Sequence, residues 1–575
     1  MSGLLRFLRP YRLYVALVLL LTFGQTMSSL YLPNLMSRIV DGGVIRGDVP
    51  YILRVGVWML LITLAGGAAA VAASLYGAKA TAGFAQLLRH RLFTHVEGSG
   101  LPEFERWGGS SLTVRTTNDV MQVQQLINAM LRMMVMAPLT AIGGILLAVH
   151  TDARLSLILV FALPLLAAAI YLVMGRGLAL FRAIQTKVDR LNLVLRENLT
   201  GVRVVRSFGR TPFEVERFDA ANADLTDTSV RVFELMATLM PVVVLIMNLS
   251  TVAIVWFGGL QINDGSLQIG QLMAFIQYVT QIMFAAMMMS MMLFMVPRAQ
   301  ASAQRIQEVL ALAPAVTDPR SPLPTPPGPG GHLEFRHVTF RYPGAEEPAL
   351  RDVSFTAAPG EITAIIGGTG AGKSTLLQLI VRFYDVVQGA VLVDGVDVRH
   401  LTQEALRSKV GYVPQQAVLF TGTALENLRY GDPAADEEAA RHALAVAQAD
   451  DFLAGLGGLQ APIEQGGVNL SGGQRQRLCI ARALVRRPEL YLLDDSFSAL
   501  DYRTDARLRA ALRAEVGTAT ALIVAQRVST VREADRILVL DDGQLVGSGT
   551  HAELLASCPV YQEIVASQLS AEEVA

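Results

Sequence analysis

The chain has 575 residues and a formal net charge of −1. Of these residues 52% are apolar and only 17% charged, which excludes an ordinary soluble domain and points to membrane segments. The near-zero charge excludes a basic footprint for nucleic acid, and the two distant cysteines, Cys479 and Cys558, exclude a disulfide or thiolate–metal framework.

The first apolar run starts at Leu13 and reaches about Leu32, long enough to span, and no small-residue cleavage site follows it. Six spans are predicted, at about 13–35, 52–78, 133–150, 155–175, 236–260 and 269–297. Arg6, Arg9 and Arg12 precede the first span, and the segments 79–132 and 176–231 are rich in arginine. The opposite connections carry few basic residues. The positive-inside rule therefore places both termini and the two long segments in the cytoplasm of a multi-pass inner (plasma) membrane protein. Each long segment keeps helical spacing on both sides of a Gly/Pro interruption, at 98–109 and 207–218. Helical extensions closed by short helices near 101–108 and 211–217 are expected; ordinary solvated loops are the alternative. The sixth span is rich in Met, which suits a surface that adapts to varied apolar ligands or simply fills a core. Gln25, Asn248, Gln277 and Gln281 are sparse amides at membrane depth. No span centre carries a charged residue, which argues against an ion-coupled relay.

Residues 313–331 are rich in Pro and Gly and read as a linker between a membrane domain, 1–312, and a second domain, 332–575. After the linker, short strands alternate with helices. LEFRHVTFRY, EITAIIGG, AVLVDG, LYLLDD, TALIVAQ and ILVLDDG read as strands, and 374–384, 402–409, 437–455, 472–487 and 503–516 as helices. The pattern predicts a largely parallel α/β sheet with an antiparallel part at its start. Gly367, Gly368, Thr369, Gly370, Ala371, Gly372, Lys373, Ser374 and Thr375 fit G-x-x-x-x-G-K-[ST] between a strand and a helix. There, backbone N–H groups and a helix N-terminus cradle phosphates. Lys373 is expected on the β- and γ-phosphates of ATP, and Ser374 on Mg²⁺. Lys373 is one of only four lysines in the chain. About 120 residues later Asp494 closes an apolar strand, as an Mg²⁺-side acid does.

LSGGQRQRLCIARAL, 470–484, is more specific. With the P-loop, Asp494 and six spans upstream, it resembles the ATP-binding cassette exporters over essentially the whole chain. The resemblance implies a six-helix membrane domain with cytoplasmic helical extensions. Behind it comes an α/β P-loop nucleotide-binding domain with an antiparallel β subdomain and a helical signature subdomain. It further implies that Tyr342 stacks on adenine and that Gln415 links Mg²⁺ to the membrane domain. By the same resemblance Ser471, Gly472, Gly473 and Gln474 grip ATP held by the other subunit, Asp501 forms the D-loop, and the 101–108 and 211–217 segments are coupling helices. Two positions depart from the family pattern. Asp495 stands where the catalytic Glu is usual, and Gln526 where the switch His is usual. A carboxylate one bond shorter is misplaced on a scale that costs about 100-fold, and Gln cannot carry a positive charge. Together they point to the impaired-site subunit of a heterodimeric bacterial multidrug exporter. A homologous partner chain would supply the missing Glu and His and use this chain's intact signature. The cargo implied is an amphipathic drug, lipid or peptide. An ATP-gated channel or regulatory protein of the same architecture is the second reading.

Overall fold

The computed structural model describes residues 2–324 and 330–568; the middle of the predicted linker, 325–329, lies outside them. Among the described residues six helices are long and apolar enough to cross a membrane. They include Arg12–Arg38, Val49–Glu97, Val120–Thr151, Leu157–Thr200, Thr211–Asn263 and Ile269–Ala311. The 49-residue helix Val49–Glu97 is about 70 Å long, more than twice the roughly 30 Å hydrocarbon core. The chain therefore carries helix well beyond the apolar stretch, as the helical spacing predicts. Prolines inside these helices, such as Pro138, Pro164 and Pro241, do not end them.

Packing divides the chain into two units, one of Met1–Val96 with Ser110–Ala311, the other of Glu97–Gly109 with Leu312 onward. In the first, Val120–Thr151 pairs with Ile269–Ala311, and Leu157–Thr200 with Thr211–Asn263. Buried Asp119 accepts from Arg305 Nε at 2.8 Å and Ser302 Oγ at 2.9 Å, which ties the two helices of the first pair together. The Met-rich span divides its methionines. Met283 is buried in an apolar cluster with Phe275 and Ile282, while Met273 and Met289 are exposed. Gln281 donates to the Ser29 carbonyl at 3.3 Å and so holds two helices together. Gln277 and Asn248 are exposed.

The expected short helix at 211–217 differs. The separate short helix is Val202–Ser207, and residues 211–217 open the long helix Thr211–Asn263. Gly201 and Gly209, the latter at φ 63°, set the breaks. Pro212 stands in the first turn, where its missing N–H costs nothing, so it starts a helix. The other expected short helix forms at Leu101–Trp107, with Pro102 likewise in its first turn.

In the second unit the strands are β1 (Leu333–Phe340), β2 (Leu350–Ala357), β3 (Ile362–Gly367), β4 (Gln388–Val393), β5 (Val396–Asp397) and β6 (Val410–Val413). They continue with β7 (Gly422–Thr423), β8 (Pro462–Ile463), β9 (Leu490–Asp494), β10 (Thr520–Val524), β11 (Arg536–Asp541) and β12 (Gln544–Gly549). Among the described residues three sheets form: two larger ones ordered β2-β1-β4-β5 and β12-β11-β3-β10-β9-β6, and the two-stranded antiparallel pair β7-β8. The first is antiparallel. The second is parallel except for the edge strand β12. Strands β3, β9 and β10 are buried and almost wholly apolar, as a parallel sheet covered on both faces requires. The expected helix 437–455 is two, Glu437–Val446 and Asp450–Ala454, because Gln448 takes φ 55°. Among the described residues three separate apolar clusters result. One joins β1, β2 and β4 with the helix Lys373–Ile380, a second holds the helices Glu437–Val446 and Gly472–Leu484, and a third packs β11 and the helix Val528–Val531 against the helix Pro559–Gln568.

Candidate functional site

The parallel order β11-β3-β10-β9 brings the C-terminal ends of β3, β9 and β10 side by side. Ligands of open α/β sheets bind at such ends. β3 ends in Gly367, and the helix Lys373–Ile380 opens after a loop of small residues. Gly372 takes φ 93°, and a Cβ there would stand 2.7 Å from the Ala349 carbonyl, so only glycine fits. The first N–H groups of that helix have no intrahelical partner and its dipole is positive at this end, the makings of an anion cradle. Lys373 crosses the loop and donates to the carbonyls of Gly367 (2.9 Å) and Gly368 (2.6 Å). Burial pushes its ammonium below the usual lysine range, while Asp495 and Asp494 pull it back up.

Ser374 donates to Asp494 Oδ1 at 2.9 Å, bringing together two residues 120 positions apart. Burial holds the Asp494 carboxyl above the ordinary carboxylate range and Asp495 pushes the same way; Ser374 and Lys373 oppose them. A hydroxyl and a carboxylate at this separation form an oxygen pair that suits Mg²⁺, which takes one or two protein ligands and completes its shell with phosphate and water. Among the described residues no group of three or more His, Cys, Asp or Glu could hold a metal alone. The Ser374–Asp494 pair would hold Mg²⁺ only together with oxygens from another group, as the phosphates of a nucleotide supply.

Asp495 follows at φ 46°, a left-handed conformation that Asp tolerates better than most residues. Its N–H donates to the Val524 carbonyl at 3.0 Å, which fixes it beside β10. Gln526 Nε2 donates to Asp495 Oδ2 at 3.1 Å, and Gln415 lies near enough to favour the ionised form of this carboxylate. Burial raises the Asp495 pKa, against the pull of Ser498, Lys373 and Gln415. The structure thus brings Lys373, Ser374, Gln415, Asp494, Asp495 and Gln526 into one network.

Tyr342 lies just past β1. Its hydroxyl bonds Thr375 Oγ1 at 2.9 Å and Gln378 Oε1 at 3.0 Å, and its ring meets Phe340 and Tyr384 nearly edge-on. This ties the expected adenine-side aromatic to the helix that opens with Lys373. Gln378 was not legible as a site residue, because nothing in the P-loop motif extends that far. Tyr384 in turn donates to Glu105 of the helix Leu101–Trp107 at 2.9 Å, and Glu103 accepts from Ala315 N at 2.9 Å. Burial raises the Tyr384 hydroxyl pKa, and the Glu105 bond raises it further.

The signature residues lie elsewhere. Ser471 caps the helix Gly472–Leu484: its Oγ accepts from Gln474 N at 3.3 Å and its N–H donates to Gln474 Oε1 at 2.8 Å. A Cβ on Gly473 would lie 2.9 Å from the Ala499 carbonyl, so the helix start is pressed against the loop after Asp495. Asp501 caps the helix Tyr502–Val516 through Thr504 N at 3.0 Å. Ser471 and Gly472 are exposed. None of the hydrogen bonds of Ser471, Gly472, Gly473 or Gln474 among the described residues reaches 367–375.

Comparison with known proteins agrees with this architecture. Residues 15–287 match the ABC transporter transmembrane region, and residues 350–498 match the ABC transporter family. An uncharacterised ABC transporter ATP-binding protein of Mycobacterium tuberculosis is 46% identical over 98% of this chain and 97% of its own length. A fatty acid ABC transporter ATP-binding/permease protein of Mycobacterium bovis is 36% identical over 82% of this chain and 75% of its own. The structure of a bacterial Atm1-family ABC exporter with ATP bound superposes with a TM-score of 0.79 at 26% identity, covering 98% and 99% of the two chains. The chain belongs to the ABC exporters, as a half-transporter in which a multi-pass membrane domain is fused to an ATP-binding cassette.

Proposed function

We propose that this chain is one subunit of a heterodimeric exporter that uses ATP to move amphipathic substrates out of the cytoplasm. The membrane domain is 1–312 and the cassette 332–575, with both termini and the cassette on the cytoplasmic side of the plasma membrane. Lys373 and the N–H groups of the following helical turn bind the β- and γ-phosphates, and Tyr342 meets the adenine. Ser374, Asp494 and Gln415 hold Mg²⁺, which when bound offsets the negative charge of the phosphates. Ser471, Gly472 and Gly473 present the start of a helix to ATP on the partner, and Asp501 lies at the same interface. The Leu101–Trp107 helix couples nucleotide to membrane through Glu105 and Tyr384. A groove lined by Phe383, Tyr412, Phe420, Tyr430, Arg407 and Arg482 suits a partner helix end of the kind this chain presents at 211–217, with Phe213, Glu214 and Glu216.

One observation carries the assignment of an impaired site: the Gln526–Asp495 bond. A neutral amide holds a shortened carboxylate where the family has a Glu and a titratable His. Asp495 bonded in this way is poorly placed to orient water, and general base help contributes roughly 10²–10⁴-fold. The anionic end of ATP is still held by Lys373. This chain therefore keeps one ATP as a lasting clamp, while its signature serves a competent site on the partner. The name of the fatty acid transporter relative supports an amphipathic cargo.

The test is ATP hydrolysis by the chain purified alone and with its co-purified partner in proteoliposomes. Slow turnover alone and at least tenfold faster turnover in the complex is the expected result. Brisk hydrolysis by this chain as a homodimer would sink the heterodimer reading. Substrate movement down its gradient without hydrolysis would support a channel instead.

A further inference from the structure

The loop that carries Gln526 is gripped from behind by the helix Pro559–Gln568. Apolar contact comes first. Ala525, Val528 and Val531 share a buried cluster with Tyr561 and Val565 of that helix, each no more than 3% exposed. Polar contact then fixes the register. Gln568 Nε2 donates to the Gln526 carbonyl at 2.8 Å, and Gln568 Oε1 accepts from Val528 N–H at 2.8 Å. Val528 opens the short helix Val528–Val531, so its N–H has no intrahelical partner and needs an outside acceptor. One planar amide thus serves a donor and an acceptor on either side of residue 527. The reversed amide would set N–H against N–H and oxygen against oxygen, so only one orientation is satisfied.

The opposite flank of the loop faces the reacting end of the site. The Gln526 side chain reaches Asp495, and Arg527 Nη2 donates to the Ser498 carbonyl at 3.1 Å. A continuous path runs from Gln568 through the backbone of residue 526 to its side chain and on to Asp495.

We propose that Gln568 is a positioning residue for the nucleotide site: it sets the backbone from which Gln526 addresses Asp495 and the γ-phosphate. This rests on the proposed nucleotide site, with Gln526, in the place of the switch His, taken to face the γ-phosphate. The terminal helix is then a lever on the state of bound nucleotide, and a pull on it loosens the hold on ATP more than on ADP. Val528 N–H and the Gln526 carbonyl lose their anchor together when the amide is removed, and the side chain of residue 526 loses its aim. A contact worth one hydrogen bond corresponds to about a fivefold change in affinity.

The test uses the full chain in its membrane complex, photolabelled with 8-azido-ATP or 8-azido-ADP, with the label on this chain read after separation by size. Gln526→Ala, Gln568→Ala, Gln568→Glu and the double variant Gln526→Ala/Gln568→Ala are compared, with thermal unfolding recorded for each. Gln568→Ala is expected to weaken ATP labelling about fivefold and leave ADP labelling unchanged. Gln568→Glu keeps the acceptor for Val528 but turns an oxygen toward the Gln526 carbonyl, and is expected to be at least as impaired. The double variant is expected to match Gln526→Ala alone, because both substitutions break one path. If Gln526→Ala shifts the ATP-to-ADP ratio and Gln568→Ala does not, the clamp is wrong. If Gln568→Ala weakens both nucleotides equally, its role is structural and the proposal fails. If Gln526→Ala leaves the ratio unchanged, the γ-phosphate reading fails and takes the proposal with it.

Discussion

The P-loop corner and the signature corner both stand at a helix start, where an anion is favoured, but they are built in opposite ways. The P-loop corner closes on itself: Lys373 holds the carbonyls of its own loop and Ser374 holds Asp494. The signature corner spends its side chains on its own helix cap and leaves Ser471 and Gly472 exposed. They also rest on different apolar cores. The lesson is that one corner is knit together within the single chain, while the other presents an exposed helix start, the surface that on the proposed reading a second chain's ATP would meet.

The sharpest way to break this contrast is Gly473→Asp. It forces a side chain toward the Ala499 carbonyl, 2.9 Å from the Cβ position, and puts negative charge where phosphate is expected. Turnover of the complex is expected to fall at least about 100-fold, while azido-ATP labelling of this chain stays near wild type. Equal loss of both would mean the two corners are not independent. Lys373→Ala is the mirror experiment. Labelling of this chain is expected to fall by about tenfold or more, with the complex retaining part of its turnover.

Next in size, Asp495→Glu with Gln526→His is expected to raise hydrolysis at this chain's own site roughly tenfold or more, measured with the partner's site disabled. No gain would place the slowness elsewhere than in these two residues. The smallest effect concerns stability. Burial raises the folded-state pKa of Asp494 above its unfolded value, so its ionised form opposes folding. That penalty is absent below the unfolded pKa and grows as pH rises from there through the folded one. Asp494→Asn is therefore expected to raise the unfolding temperature of the nucleotide-free protein at pH 7 and to abolish Mg²⁺-dependent stabilisation by ATP, both read by calorimetry.

Much of this was legible in the sequence because motifs mark the places where the backbone itself does chemistry. Gly372, Lys373 and Ser374 declare a phosphate loop, and four apolar residues before Asp494 declare a buried strand. The six spans follow from hydropathy. Other parts were not readable. β12, QLVGSG, is an edge strand with two glycines and little apolar content, so no period-2 signal rises above turn composition. β2, LRDVSFTA, does alternate, but Asp352 at φ 50° interrupts it. The Gly/Pro interruption at 207–218 does not say on which side the short helix lies; Gly209 makes the break and Pro212 opens the next helix. Gln568 lies 42 residues from Gln526 in an amphipathic helix like any other, and only the folded chain shows what its amide holds.

The φ of 46° at Asp495 bears on how such a chain changes over generations. Left-handed backbone is eased for short polar side chains that bond locally and costs roughly 1–2 kcal/mol for most others. Asp495→Glu is therefore expected to lower the melting temperature even as it lengthens the reach toward water. If a partner carries the turnover, as proposed, this chain is free to keep the residue that its backbone prefers, and restoring Glu there means accepting a less comfortable turn.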